Sequence, residues 1–149
     1  MENRTYRYLK DEPLFPFGFG LNYGDTCLEA VDILDESPDR SRGLNLRVEI
    51  SNRGRATKDV VQVYVKNDSK YAALNPTLVE FEKIAISSGE RAIIELKINE
   101  DAFKVVDNEG QLITDGKSSK IYIGLSAPDD LSERLTGKKC KCIDVDWII

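Results

Sequence analysis

The stretch LNLRVEISNRGRATKDVVQVYV, residues 44–65, decides the fold. Leu44, Leu46, Val48 and Ile50 alternate with Asn45, Arg47 and Glu49, a period of two that gives a half-buried strand one apolar face. Ser51-Asn52-Arg53-Gly54-Arg55 breaks the alternation as a turn, in which Asn and Gly are expected to supply left-handed backbone positions. Val60 to Val65 then reads as a second strand, rich in β-branched side chains that suit a pleated surface.

The same punctuation continues outward in both directions. Residues 27–34 read as a strand, followed by a polar stretch, 35–43, with Ser37-Pro38-Asp39 as turn chemistry. Residues 67–77 form a long connection, expected to cross from one sheet to the other. Residues 78–86 and 92–98 are strands separated by the turn Ser87-Ser88-Gly89-Glu90. Residues 99–103 suggest a capped single helical turn or a loop, and 105–114 a short hairpin. Residues 120–125 and 140–149 are the last strands, joined by a polar connection over 127–139. About seven strands without a sustained 3.6-residue period predict an all-β, antiparallel β-sandwich.

Composition narrows the function. The chain has 149 residues, enough for one domain with a proper core. A net charge of −5 with scattered acids argues against nucleic acid, which requires a basic face. No apolar run reaches the ~20 residues of a membrane helix, so no membrane partner is expected. The start, MENRTYRYLKDE, is charged and aromatic, unlike a secretory signal. Cys27, Cys140 and Cys142 are too few and too uneven for a disulfide framework, and reduced thiols fit a cytoplasmic setting. The chain contains no histidine, which removes Ser-His-Asp and Cys-His catalysis, imidazole acid/base work and His-metal sites.

Ahead of the strands lies RTYRYLKDEPLFPFGFGLNY, residues 4–23. Its prolines and glycines forbid a helix and its aromatics forbid a solvated tail. Arg4-Thr5-Tyr6-Arg7-Tyr8 followed by Pro13-Leu14-Phe15-Pro16-Phe17-Gly18-Phe19-Gly20-Leu21-Asn22-Tyr23 resembles the opening of the fibronectin type III-like domain of glycoside hydrolase family 3, the β-glucosidases and β-xylosidases. That family usually reads R-T-Y-R-Y-F and P-L-Y-P-F-G-x-G-L-S-Y, so Leu9, Phe15 and Asn22 are mild departures. The resemblance continues in order through Val48 to Arg55, Asp59 to Val65, Leu78 to Ile84 (with Glu80 where the family has Gly), Ser88-Gly89-Glu90 and Ile121 to Ser126. The first two blocks are specific, and the later ones alone describe any such sandwich.

The resemblance implies an immunoglobulin/fibronectin type III-like sandwich over 26–149 and an interdomain strap over 1–25. It implies that Tyr6, Tyr8, Phe15, Phe17, Phe19 and Tyr23 contact the catalytic domains of a parent glycosidase. A bare apolar patch of that size marks an interface; the alternative is that these rings close one end of the sandwich by themselves. The implied role is accessory: packing on the catalytic domains, with loops shaping the cleft or forming a homodimer contact. Met1 directly before the seam suggests a piece of a longer chain.

No catalytic residue and no cofactor is expected here. Asp144-Val145-Asp146-Trp147 imitates the S-D-W-type motif of the family's nucleophile, but Val145 replaces Ser and no barrel strand carries it. Retaining glycosidases also need a second carboxyl group about 5 Å away across the sugar. Asp144 and Asp146, with Asp129 and Asp130, lack a D-x-D-x-D-G calcium loop, so no metal is expected there. Cys140 and Cys142 share a strand face, but with Cys27 they fall short of the four ligands of zinc, and core packing is the expected role of the pair. Trp147 and Tyr64 are candidate sugar platforms, although a lone strand Trp is more often core. The competing function is a stand-alone carbohydrate- or protein-binding sandwich that uses surface aromatics.

Overall fold

A computed structural model describes residues 3–147. Two sheets face each other. The first has three strands in the order β1-β2-β5: β1 (Thr26–Ile33), β2 (Leu44–Asn52) and β5 (Arg91–Ile98). The second has four in the order β4-β3-β8-β9: β3 (Thr57–Asn67), β4 (Thr77–Ile86), β8 (Ser118–Gly124) and β9 (Lys141–Asp146). A two-strand hairpin, β6 (Val105–Val106) and β7 (Leu112–Ile113), and a 3-10 turn, Glu100–Phe103, complete the loops at one end. All pairings are antiparallel.

The core lies where the alternation placed it. Leu44, Leu46, Val48 and Ile50 from β2 meet Val61, Val63 and Val65 from β3, with Ile121 and Ile123 from β8. The β2–β5 register sets Leu46 opposite Leu96 and Val48 opposite Ile94, so neighbouring strands turn the same face inward. Phe103 and Trp147 close one end, edge to face with centroids 4.6 Å apart, and the indole N–H donates to Ser119 Oγ at 2.9 Å.

Several expectations need correction. The 67–77 connection does not change sheets: β4 returns beside β3, with Thr57 opposite Ile86 and Gln62 opposite Phe81. The loop folds back because the Lys66 ammonium, half-buried, donates to the Ala73 and Leu74 carbonyls. Chain length alone does not distinguish that from a crossover. The sheet change comes at the short turn 87–90 instead, between β4 and β5. The polar 127–139 connection contains a helix, α1 (Asp130–Thr136). Asp129 caps it by accepting from the Ser132 N–H at 2.7 Å, and Gly137 ends it in the left-handed region. The last strand is shorter than 140–149: β9 stops at Asp146, and Ile148 and Ile149 lie outside the described residues.

Asn52 and Gly54 also differ from their turn reading, since neither lies in the left-handed region. Asn52 is instead a buried bonding centre. Its Nδ2 donates to the Arg55 carbonyl at 2.7 Å and reaches the Ile86 and Ser87 carbonyls, while its Oδ1 accepts from the Asp25 and Gly54 N–H groups. Gly54 is needed for room, because a Cβ there would sit 2.5 Å from the Asp25 nitrogen.

Candidate interdomain docking surface

Along β3 the core side chains are odd-numbered, so Gln62 and Tyr64 point to the outer face of the four-stranded sheet. An outer face normally meets water. Here Gln62 is 7% and Tyr64 1% exposed, because residues 3–25 lie across them. The Tyr64 hydroxyl donates to Gln62 Oε1 at 2.6 Å, and Gln62 Nε2 donates to the Gly18 carbonyl at 3.1 Å. Burial raises the Tyr64 phenol above its ordinary range, with Tyr6 and Cys140 adding to the shift. Gly18 sits at φ +73°, and a Cβ on it would lie 2.4 Å from Gln62 Oε1. Backbone conformation and space therefore both require glycine at this crossing.

Two further clamps flank that one. Asn75 Nδ2 donates to the Tyr6 and Leu9 carbonyls at 2.7 and 2.9 Å, the Asn75 N–H donates to the Arg7 carbonyl, and the Leu78 N–H donates to the Tyr6 hydroxyl. At the other end Asp59 accepts from Asn22 Nδ2 at 2.8 Å and from the Thr26 hydroxyl at 2.5 Å, and Lys138 donates to Thr26 at 2.7 Å. Between the strap and α1 runs a cleft of about 260 Å³, lined by Tyr6, Pro16, Phe17, Tyr64, Asn75 and Leu131 among others. Arg134 of α1 pairs with Glu12 at 2.5 Å beside it, both exposed.

The six aromatics singled out in the sequence divide into two groups. Tyr6 and Phe17 stack on each other, centroids 3.9 Å apart and nearly parallel, and Phe15 stacks on Phe19 at 5.3 Å. Tyr6 and Phe19 are half-buried. Tyr8 and Phe17 are about two-fifths exposed, Phe15 is 63% exposed and Tyr23 91%. Leu14 and Leu21, not singled out in the sequence, are 89% and 86% exposed on the same strap. The clamping residues Asn75, Gln62 and Asp59 were also missed. Gln62 and Asp59 were detectable as polar positions inside a β-branched strand, whereas Asn75 before Pro76 reads as ordinary loop.

The remaining candidates lie outside the strap. Asp144 and Asp146 point outward from β9, and Asp144 lies 3.7 Å from Lys120. No group of three or more metal-ligating side chains comes together among the described residues. The core reading of the cysteine pair fails: Cys142 is exposed, and Cys140 is half-buried with its thiol donating to the Ser126 carbonyl. Cys142 sits on the outer face of β9 and Cys140 just before that strand, where the strap does not fully cover the sheet. Burial pushes the Cys140 thiol up to about 12, helped by Asp129 and Glu133, so it is not a reactive thiolate. Tyr64 and Trp147 are buried and offer no face to a sugar.

Comparison with known proteins gives this geometry a family. Residues 59–127 match the family described as fibronectin type III-like domain. Over 130 residues the chain is 32% identical to a β-xylosidase of Formosa agariphila, a match covering 84% of this chain and 18% of that protein. Over 106 residues it is 39% identical to thermostable β-glucosidase B of Acetivibrio thermocellus, covering 66% of this chain and 14% of that protein. The fold is shared with the GH3 β-glucosidase of Bifidobacterium adolescentis at a TM-score of 0.79 and 21% identity, over 97% of this chain and 21% of that one. The chain belongs with the fibronectin type III-like domains found in family 3 β-glucosidases and β-xylosidases. It spans less than a fifth of the length of the curated relatives it matches.

Proposed function

We propose that this chain is the non-catalytic domain of a family 3 glycosidase acting on β-glucosides or β-xylosides, and that it docks on the catalytic domains through the strap. One observation carries this reading. The strap is fastened to the sandwich through its backbone carbonyls and polar side chains, yet it turns Leu14, Phe15, Leu21 and Tyr23 outward. A segment serving only to close this sandwich would turn its apolar side chains inward. The occupant is the remainder of the same polypeptide, since relatives are more than five times longer than the region they share with this chain. The six aromatics then have two duties: Tyr6, Phe17 and Phe19 fasten and brace the strap, while Tyr8, Phe15 and Tyr23 face the partner.

The test is hydrolysis of aryl β-glucosides and β-xylosides by residues 1–149 alone, by the full-length polypeptide, and by the full-length Leu21→Asp/Tyr23→Asp variant. The expected pattern is no activity from the domain alone, activity from the full polypeptide, and a full-length variant with a lower inactivation temperature. Hydrolysis by residues 1–149 that disappears on Asp146→Asn would overturn the reading.

A further inference from the structure

We infer that residues 5–25 are a built-in part of this domain and not an interdomain linker, and that Gln62 and Asn75 are positioning residues that hold the docking face in shape before any other domain is present. This deepens the docking reading and rests on it only for the use of the face. The fastening is independent of that use.

Three observations carry the inference. First, the strap is held at three separated points along its length: Tyr6 to Leu9 by Asn75, Gly18 by Gln62, and Asn22 by Asp59. A linker free to reorient would not be anchored by its own carbonyls, which a mobile segment leaves to water. Second, the sandwich is incomplete without the strap. Tyr64 and Gln62 are buried on an outer sheet face, and lifting the strap would expose the Tyr64 ring and leave the Gln62 amide without its Gly18 partner. Third, the fit is close at both ends of the crossing. A Cβ on Gly18 would meet Gln62, and one on Gly24 would lie 2.4 Å from Thr57 Cγ2. At Gly18 and Gly24 the strap backbone lies against β3 with no room for a side chain.

Gln62 is central because it uses both ends of one amide. Its oxygen accepts from Tyr64 and its nitrogen donates to Gly18, so the strap's height over the sheet is fixed by a side chain that is itself held. Asn75 serves the N-terminal half, using its side-chain N–H₂ and backbone N–H together on three strap carbonyls within four residues, those of Tyr6, Arg7 and Leu9.

The test is amide hydrogen exchange on residues 1–149 alone. The Asn75 and Leu78 amides, which donate to the Arg7 carbonyl and the Tyr6 hydroxyl, and the Asp25 amide, which donates to Asn52, are expected to exchange at least about tenfold slower than in a free peptide. In Gln62→Glu, which keeps the acceptor for Tyr64 but loses the donor to Gly18, the Phe19 amide should speed up by about five- to tenfold more than the β2 amides do. Free-peptide exchange at all these amides in the wild-type domain, with protection arising only in the full-length polypeptide, would overturn the inference. Protection in the isolated domain together with a full-length Leu21→Asp/Tyr23→Asp variant as heat-resistant as wild type would instead remove the docking reading and leave this one standing.

Discussion

The two outer faces of this sandwich are built on opposite plans. On the three-stranded sheet the outward positions include Arg47, Glu49, Arg91, Glu95 and Lys97, with Ile93 among them, and two pairs lace the strands: Arg91 to Glu49 at 2.5 Å and Arg47 to Glu95 at 3.3 Å. Glu29 extends the ladder, accepting from Ser51, and that hydrogen bond holds its carboxyl below the usual range, with Arg53 and Arg91 contributing. On the four-stranded sheet the outward positions of β3 are Gln62 and Tyr64, and they lie beneath the strap. Both faces come from strands with the same inward alternation. The difference lies in the outward residues: charged pairs keep one face in water, and on β3 an amide and a phenol recruit a covering segment, while the β8–β9 edge of that sheet stays solvated with Lys120 near Asp144.

The largest effect should come from breaking the covered face. Tyr64→Ala removes a buried ring under the strap and should cost about 3–5 kcal/mol in urea unfolding. An equal truncation on the ladder face should cost far less. If Tyr64→Ala were as mild as a surface change, the contrast between the faces would be wrong.

A second, smaller effect is pH-dependent. The Cys140 thiol is raised from 9.0 to about 12, so the folded state favours its neutral form. That contribution is complete below pH 9 and declines as the pH rises from 9 toward 12, because the unfolded chain ionises first. Cys140→Ala should therefore flatten the fall of stability over this window, measured as the urea midpoint at successive pH values. An unchanged slope would mean that the thiol is not shielded on this side of the sheet.

The smallest effect belongs to the ladder. Glu49→Gln breaks the shortest pair on the solvated face, yet exposed pairs are screened and hold two mobile side chains. The urea midpoint should move little, and what shift remains should vanish in high salt. A large, salt-resistant loss would show this face to be structurally committed as well.

Legibility in the sequence follows the same division. The strands were readable because burial on one face imposes period two, as in 44–50 and 60–65. The family was readable because the strap's Pro, Gly and aromatic spacing is specific. The path of 67–77 was not, since it depends on Lys66 capturing two loop carbonyls rather than on local pattern. Helix α1 was hidden because seven mostly polar residues carry little periodicity, and only the Asp129 cap and Gly137 stop mark it. Gln62 stood out as a polar position in a β-branched strand, but its partner 44 residues away did not, and Asn75 was hidden altogether because its bonds run 66–69 residues back along the chain. Cys142 was misplaced because a strand face exposes or buries its side chains according to what lies on it, and the strap does not reach that far.

The most direct test of the central claim is side-chain oxidative footprinting of residues 1–149 alone and within the full-length polypeptide. Leu14, Phe15, Leu21 and Tyr23 should be modified freely in the isolated domain and become protected in the longer protein, while Ile93, 63% exposed among the ladder charges, should be modified equally in both. Protection of Ile93 with the strap side chains unchanged would place the partner on the other face and contradict the account.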